Sequence, residues 1–215
     1  MTASTILLTI YFALVLVHLC CILFGATKIQ RATKPFLMPL LGVWAWVATG
    51  GTANWLLLAG IFFGFLGDTL LLFDKQQWSV IAGIGAFGVG HILYTILLAS
   101  DRVMPGMVWR IAVPVVLALV VLFIYNRLSP SLPKEMRIPV ICYIVVICAM
   151  SLAAVWRFLG APGLATGLAA VGSVLFIVSD SVLAFQLFSK KTRIGGFVVM
   201  LTYLAAQTLI VFGVL

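Results

Sequence analysis

Eight times along the chain, between one cluster of charged or turn-forming residues and the next, an unbroken apolar run appears: about 5–26, 36–50, 54–73, 78–99, 107–125, 138–157, 164–188 and 195–215. About 20 apolar residues is the helix length that spans some 30 Å of hydrocarbon. With 64% hydrophobic and only 8% charged residues, the chain has too little polar surface to enclose itself in water. The runs are continuous rather than alternating, which excludes a β-barrel. The expected fold is an all-α polytopic membrane protein of eight transmembrane helices, forming a single transmembrane domain over 1–215 with no soluble domain. In a bacterium its place would be the inner membrane. The first run lacks the basic leader and small-residue cleavage pattern of a secretory signal, so it is read as a retained helix. The second run is short, and Pro35 just before it is read as the start of its helix.

A net charge of +8 invites a nucleic-acid reading, but the basic residues lie in short clusters between apolar runs, where membrane topology accounts for them. No nucleic-acid partner is expected. With the N-terminus outside, Lys28, Arg31, Lys34, Lys75, Arg127, Lys134, Arg137, Lys190, Lys191 and Arg193 fall on the cytoplasmic side, ten of the 13 basic residues. Arg102, Arg110 and Arg157 remain outside, and both termini are predicted non-cytoplasmic. Cys20, Cys21, Cys142 and Cys148 have neither CxxC nor His-paired spacing, so no disulfide framework, metal site or cofactor is expected. The six tryptophans mostly flank apolar runs, as an aromatic belt does.

Two acids stand out. Asp68, in FFGFLGDTLLLF, and Asp180, in FIVSDSVLAF, each interrupt an apolar run. A carboxylate at the centre of a membrane helix costs roughly 2.5–3.5 kcal/mol even on lenient insertion scales, so it marks function by default. At 1.5 Å per residue, both acids lie on the order of 10 Å inside the cytoplasmic boundary. An offset of 112 residues superposes Gly60 on Gly172, Asp68 on Asp180, Leu71 on Leu183, Phe73 on Phe185 and His91 on Tyr203. That offset suggests two parallel four-helix repeats, 1–106 and 107–215, whose axis along the membrane normal would bring both acids towards one cavity.

Around the acids the small and polar residues fall at helical spacing. Gly60, Gly64 and Asp68 share a face, with Gly67 adjacent. Gly83, Phe87, His91 and Thr95 share another, with Tyr94 beside it. Gly172, Phe176, Asp180 and Ala184 form a third, with Ser173 and Ser179 close by. Tyr203 precedes Gln207 by one turn, and two such polar groups are expensive against lipid, so they are expected to face inward. His91 and Tyr94 become candidate donors to a substrate oxygen. Tyr11, His18, Cys20 and Cys21 follow no such pattern and are read as packing or interfacial residues.

Lys34-Pro35, GDTLL at 67–71, FGVGHILY at 87–94, FIVSDSVLAF at 176–185 and YLAAQTLI at 203–210 together resemble the lysoplasmalogenase (YhhN-like) family in order, spacing and helix count. The resemblance runs from about Lys34 to the C-terminus. It implies an eight-helix membrane enzyme that hydrolyses the vinyl-ether bond of lysoplasmalogens to a fatty aldehyde and a glycerophospho-alcohol. It carries the catalytic roles to Asp68 and Asp180, and pocket roles to Lys34, His91, Tyr94, Tyr203 and Gln207. The substrate and partner it implies are a lysophospholipid and the membrane lipid around it.

The chemistry suits these residue types independently. Vinyl-ether hydrolysis begins with a proton delivered to the β-carbon, passes through an oxocarbenium ion and ends with addition of water. It needs one proton donor and one base. Two carboxylates close together in a low-dielectric site supply both, since they do not readily ionise together, and paired acids do the same for glycosidic bonds. With Ser179 beside it, Asp180 is read as the base. The phosphate is assigned to Lys34 or to the cytoplasmic basic cluster. The competing reading is a proton-coupled transporter, which buried acids and parallel repeats also suit. An intramembrane aspartyl protease would need Gly where Phe65 stands, and a scaffold would leave both acids unexplained.

Overall fold

The computed structural model describes residues 2–101 and 103–215; Arg102, placed above among the outside charges, lies outside the described residues. Eight α-helices follow one another: α1 (Ala3–Phe24), α2 (Thr27–Ala48), α3 (Trp55–Leu70), α4 (Gln77–Ala99), α5 (Met107–Leu128), α6 (Arg137–Gly160), α7 (Leu164–Phe188) and α8 (Arg193–Phe212). Seven of them are long and apolar enough to cross a membrane. The eighth, α2, carries Lys28, Arg31 and Lys34 in its first turns. The protein is an integral, multi-pass membrane protein.

The sequence reading misplaced the start of α2. Pro35 does not open this helix: it lies inside, with Pro39 a turn further on. Proline removes a backbone donor, but membrane helices tolerate it where side chains and surface water satisfy what it frees. The charged first turns stand at the end of the bundle, where that condition holds. Thr33 turns its hydroxyl back onto the carbonyls of Ile29 and Gln30 at 2.9 and 3.2 Å. Lys34 is therefore two turns into a helix rather than at its edge.

Seven helices close into a ring in the order α1, α2, α3, α4, α6, α7, α8 and back to α1, while α5 stays outside against α6 and α7. The closest seams are α3 with α4 and α7 with α8, and both rest on glycine. A Cβ on Gly60 would sit 2.2 Å from the Tyr94 ring, and one on Gly172 would sit 2.9 Å from the Ala206 carbonyl. Without those side chains the helix backbones approach as small-residue seams in membranes do. Trp46, Trp55, Trp78 and Trp109 are exposed, as belt residues are, whereas Trp44 is buried and packs on Phe212 at 4.8 Å between ring centres. At one end of the ring Arg157 pairs with Asp101 and reaches the Gly213 carbonyl, tying α4, α6 and α8 together. At the other end Lys191 pairs with Asp74.

Candidate active site

The side chains that fill the ring are polar to a degree its outer surface is not. Asp68, on the last full turn of α3, is almost wholly buried and pairs with Lys34 of α2, Nζ to Oδ1 at 3.2 Å. Two turns inside α2, Lys34 projects inward and is spent on this acid. The Tyr203 hydroxyl of α8 lies beside the same carboxylate without reaching hydrogen-bond geometry. The absence of a side chain at Gly64 makes room for it: a Cβ there would meet the Tyr203 hydroxyl at 3.2 Å and Gln207 Nε2 at 2.9 Å. Gln207 in turn accepts the Tyr94 hydroxyl at 2.7 Å, across the ring from α4 to α8.

Asp180 has different company. It accepts a hydrogen bond from the Tyr143 hydroxyl of α6 and is only partly buried. Between the two acids stands a file of rings. Tyr203 meets Phe176 edge-on at 5.7 Å, Phe176 meets His91 at 4.8 Å, and His91 meets Tyr143 at 5.6 Å. α3 packs on α2 and α4, and α7 packs on α6 and α8, so the helices bearing the acids are not neighbours. Each carboxylate has its own partner, and the two form no contact pair. That differs from the close carboxylate pair expected above. The physical reason is the ring, which sets the two helices on opposite sides of an interior filled by aromatic side chains.

Three polar atoms in this interior are buried and without a hydrogen-bond partner among the described residues: Asp68 Oδ2, the Tyr203 hydroxyl and His91 Nδ1. Buried polar atoms are nearly always satisfied, so these three face positions where a water or a ligand oxygen would complete their hydrogen bonds. Ser179 departs from the pocket role read for it. Its hydroxyl donates to the Val199 carbonyl at 3.1 Å on the α7–α8 seam. His18, read as a packing residue, is fully buried and bonds Thr33 through Nδ1 at 2.8 Å.

Asp180 also lines a narrow apolar groove between α4, α5, α6 and α7. Its walls are residues such as Phe87, Val121, Ile124, Ile147 and Leu183, and Tyr143 and Ser181 are among its few polar lining groups. Sequence reasoning passed over Tyr143, whose only signal was a phenol in the otherwise apolar stretch ICYIVVI. The arrangement offers an acid with a fixed hydrogen-bond donor at the wall of an apolar groove, and a second acid with its own counter-ion deeper in the ring.

Residues 29–214 match the YhhN family. The chain is 31% identical to mouse lysoplasmalogenase TMEM86B over 182 residues, 85% of this chain and 73% of that protein. It is 32% identical to the uncharacterized membrane protein YhhN of Escherichia coli O6:H1 over 195 residues, covering 87% and 88% of the two. A lysoplasmalogenase of Mycobacterium bovis is 29% identical over 191 residues, 88% of this chain and 71% of that protein. No solved structure matches the chain.

Proposed function

The chain belongs to the YhhN family, and we propose that it is a membrane hydrolase that cleaves the vinyl-ether bond of lysoplasmalogen-type lysophospholipids, using Asp68 and Asp180. The observation that carries this reading is the position of Asp180. It is an intramembrane acid, held by Tyr143, at the wall of a groove with the chemistry of an acyl chain. Relatives named lysoplasmalogenase from mouse and Mycobacterium bovis support the substrate class.

The alkenyl chain lies in the groove with its double bond at Asp180. Asp180 has a neutral phenol as partner, whereas Asp68 has a cation, Lys34. Asp180 is therefore the proton donor and Asp68 the carboxylate, the reverse of the assignment that Ser179 suggested. Asp180 gives its proton to the β-carbon of the vinyl ether, and the positive charge spreads over the α-carbon and the ether oxygen. The newly formed Asp180 carboxylate stabilises that cation directly and Asp68 from across the ring interior, as fixed charges aimed at a developing charge do. Water adds to the α-carbon and loses a proton to a carboxylate. The hemiacetal then collapses, its C–O bond breaking to release the aldehyde and the glycerol hydroxyl. His91, Tyr94, Tyr203 and Gln207 form the polar wall that orients the ether oxygen and the water. We place both termini on the non-cytoplasmic face, because the loops at the opposite end carry most of the basic residues.

The carrier reading asks for a discontinuous helix at the site; α2 holds Pro35 and Pro39 near Lys34 yet runs unbroken from Thr27 to Ala48. The decisive test is aldehyde release from a vinyl-ether lysophospholipid by the purified protein in detergent. Asp180→Asn and Asp68→Asn are each expected to abolish release while the protein stays monodisperse. Full turnover by either variant refutes the two-acid scheme, and solute uptake into proteoliposomes without any aldehyde would favour the carrier.

A further inference from the structure

At the basic end of the ring, an open basin of about 770 Å³ lies between the α1–α2 turn, the segment joining α3 to α4 and the start of α8. Four cations line it, Arg31, Lys75, Lys191 and Arg193, against one acid, Asp74, which Lys191 already engages. Topology alone requires only that such charges lie on one side of the membrane. It does not require that they converge on one cavity, or that they be held in place. Here two are held. Arg31 Nη2 donates to the Leu72 carbonyl at 2.7 Å, and Arg193 Nη1 lies 3.4 Å from the Leu23 carbonyl. Gly25 ends α1 in the left-handed conformation, φ +73°, and a Cβ there would come within 2.9 Å of Arg193 Nη2. Glycine therefore satisfies both the backbone turn and the seat of the guanidinium.

Each anchored guanidinium spends one N–H on a carbonyl and keeps others for a ligand. A planar fork fixed in this way is suited to the oxygens of a phosphate. Lys75 forms no ion pair among the described residues. Leu71 lines both this basin and the apolar groove that holds Asp180. The two cavities are therefore neighbours that share a wall, and an anionic head joined to a single apolar tail has the chemistry of the pair.

We propose that this basin binds the phosphate of the lysophospholipid head group, with Arg31, Arg193 and Lys75 as its ligands. The proposal rests on the lysolipid reading above, and its test needs no turnover. The full-length protein in neutral detergent is titrated with a non-cleavable alkyl-ether lysophospholipid and with the matching alkylglycerol that lacks phosphate, binding being read by thermophoresis. Charge-assisted contacts of this kind predict about tenfold or greater preference for the phosphate-bearing lipid. Arg31→Gln/Arg193→Gln should reduce that preference to within about threefold, by loss of the same contacts. Both arginines also hold backbone carbonyls, so Lys75→Gln, which breaks no bond, serves as the second variant and should weaken the preference as well. Lys134→Gln removes an equal charge outside the basin and should leave it intact.

Inorganic phosphate should compete with the phosphate-bearing lipid and leave alkylglycerol binding unchanged. Equal affinity for the two lipids, or an equal loss in Lys134→Gln, would overturn the proposal. Binding of inorganic phosphate with no preference between the lipids would overturn it in favour of a free-phosphate site. A protein that shows the preference but releases no aldehyde would refute the hydrolase reading and leave the basin standing.

Discussion

Lys34→Met leaves Asp68 buried without its counter-ion. At 3.2 Å, the attraction lost is about 5 kcal/mol with an effective dielectric of about 20. Part of it offsets the cost of burying both charges, and breaking one side of a buried pair typically costs about 3–5 kcal/mol. The double variant Lys34→Met/Asp68→Asn removes the stranded charge together with the pair. Apolar or neutral replacement of a whole buried pair is often close to neutral, so most of the lost stability should return. A double-mutant cycle of thermal or denaturant unfolding in detergent should then give a coupling of about 2–3 kcal/mol. The same double variant should release no aldehyde, because its only fault is then the missing carboxylate. Additive losses in the cycle would refute the ion pair as a stabilising unit. Wild-type turnover in the restored double variant would refute Asp68 as part of the chemistry.

Further changes probe other parts of the site. Tyr143→Phe keeps the ring against His91 and removes the donor to Asp180; hydrogen bonds to charged groups are worth about 1.5–3 kcal/mol, so kcat for aldehyde release should fall by about 10–150-fold with KM little changed, and an unchanged kcat would remove Tyr143 from the mechanism. Ala184→Trp fills the groove beside Asp180; it should raise KM for long-chain substrates more than for short-chain ones, and equal effects on both would argue against the groove as the chain's seat. Gly60→Ala forces the Tyr94 ring away from α3; overpacking costs about 1–3 kcal/mol, and an unfolding midpoint equal to wild type would contradict the tight α3–α4 seam.

The membrane class and both acids were legible in the sequence for the same reason: in a bilayer, a charge costs enough that its presence is never neutral. Seven helices begin within a few residues of where their apolar runs do. α2 did not, because a run counted by apolarity stops at Lys34-Pro35, whereas a helix at the bundle end continues through charges that water can reach. Tyr143 was hidden because a phenol in a membrane helix reads the same whether it faces a headgroup or an acid. The separation of the acids was hidden because it depends on which helices are neighbours. Nothing along the chain reveals that α4 packs on α6 and sends α5 outside. That packing gives the two acids, expected near each other at one cavity, separate partners on different helices. Gly60 and Gly172 stood out in the sequence only as small residues on the faces that carry the acids, and the structure shows both as close approaches.

The exclusion of α5 from the ring bears on how products leave. None of the 18 residues of its most apolar stretch is buried, and Leu128 at its very end is its one buried residue. A wall attached so lightly is drawn from the low-stability end of a structure, and here it forms the outer side of the groove through Val121 and Ile124. On the hydrolase reading proposed above, this means two exits into two phases. The aldehyde can slide sideways past α5 into the bilayer without meeting water, while the water-soluble glycerophospho-alcohol departs through the charged end. With its products partitioned in this way, the reverse encounter of aldehyde and alcohol at the acids becomes rare, and the reaction gains direction from where its products dissolve.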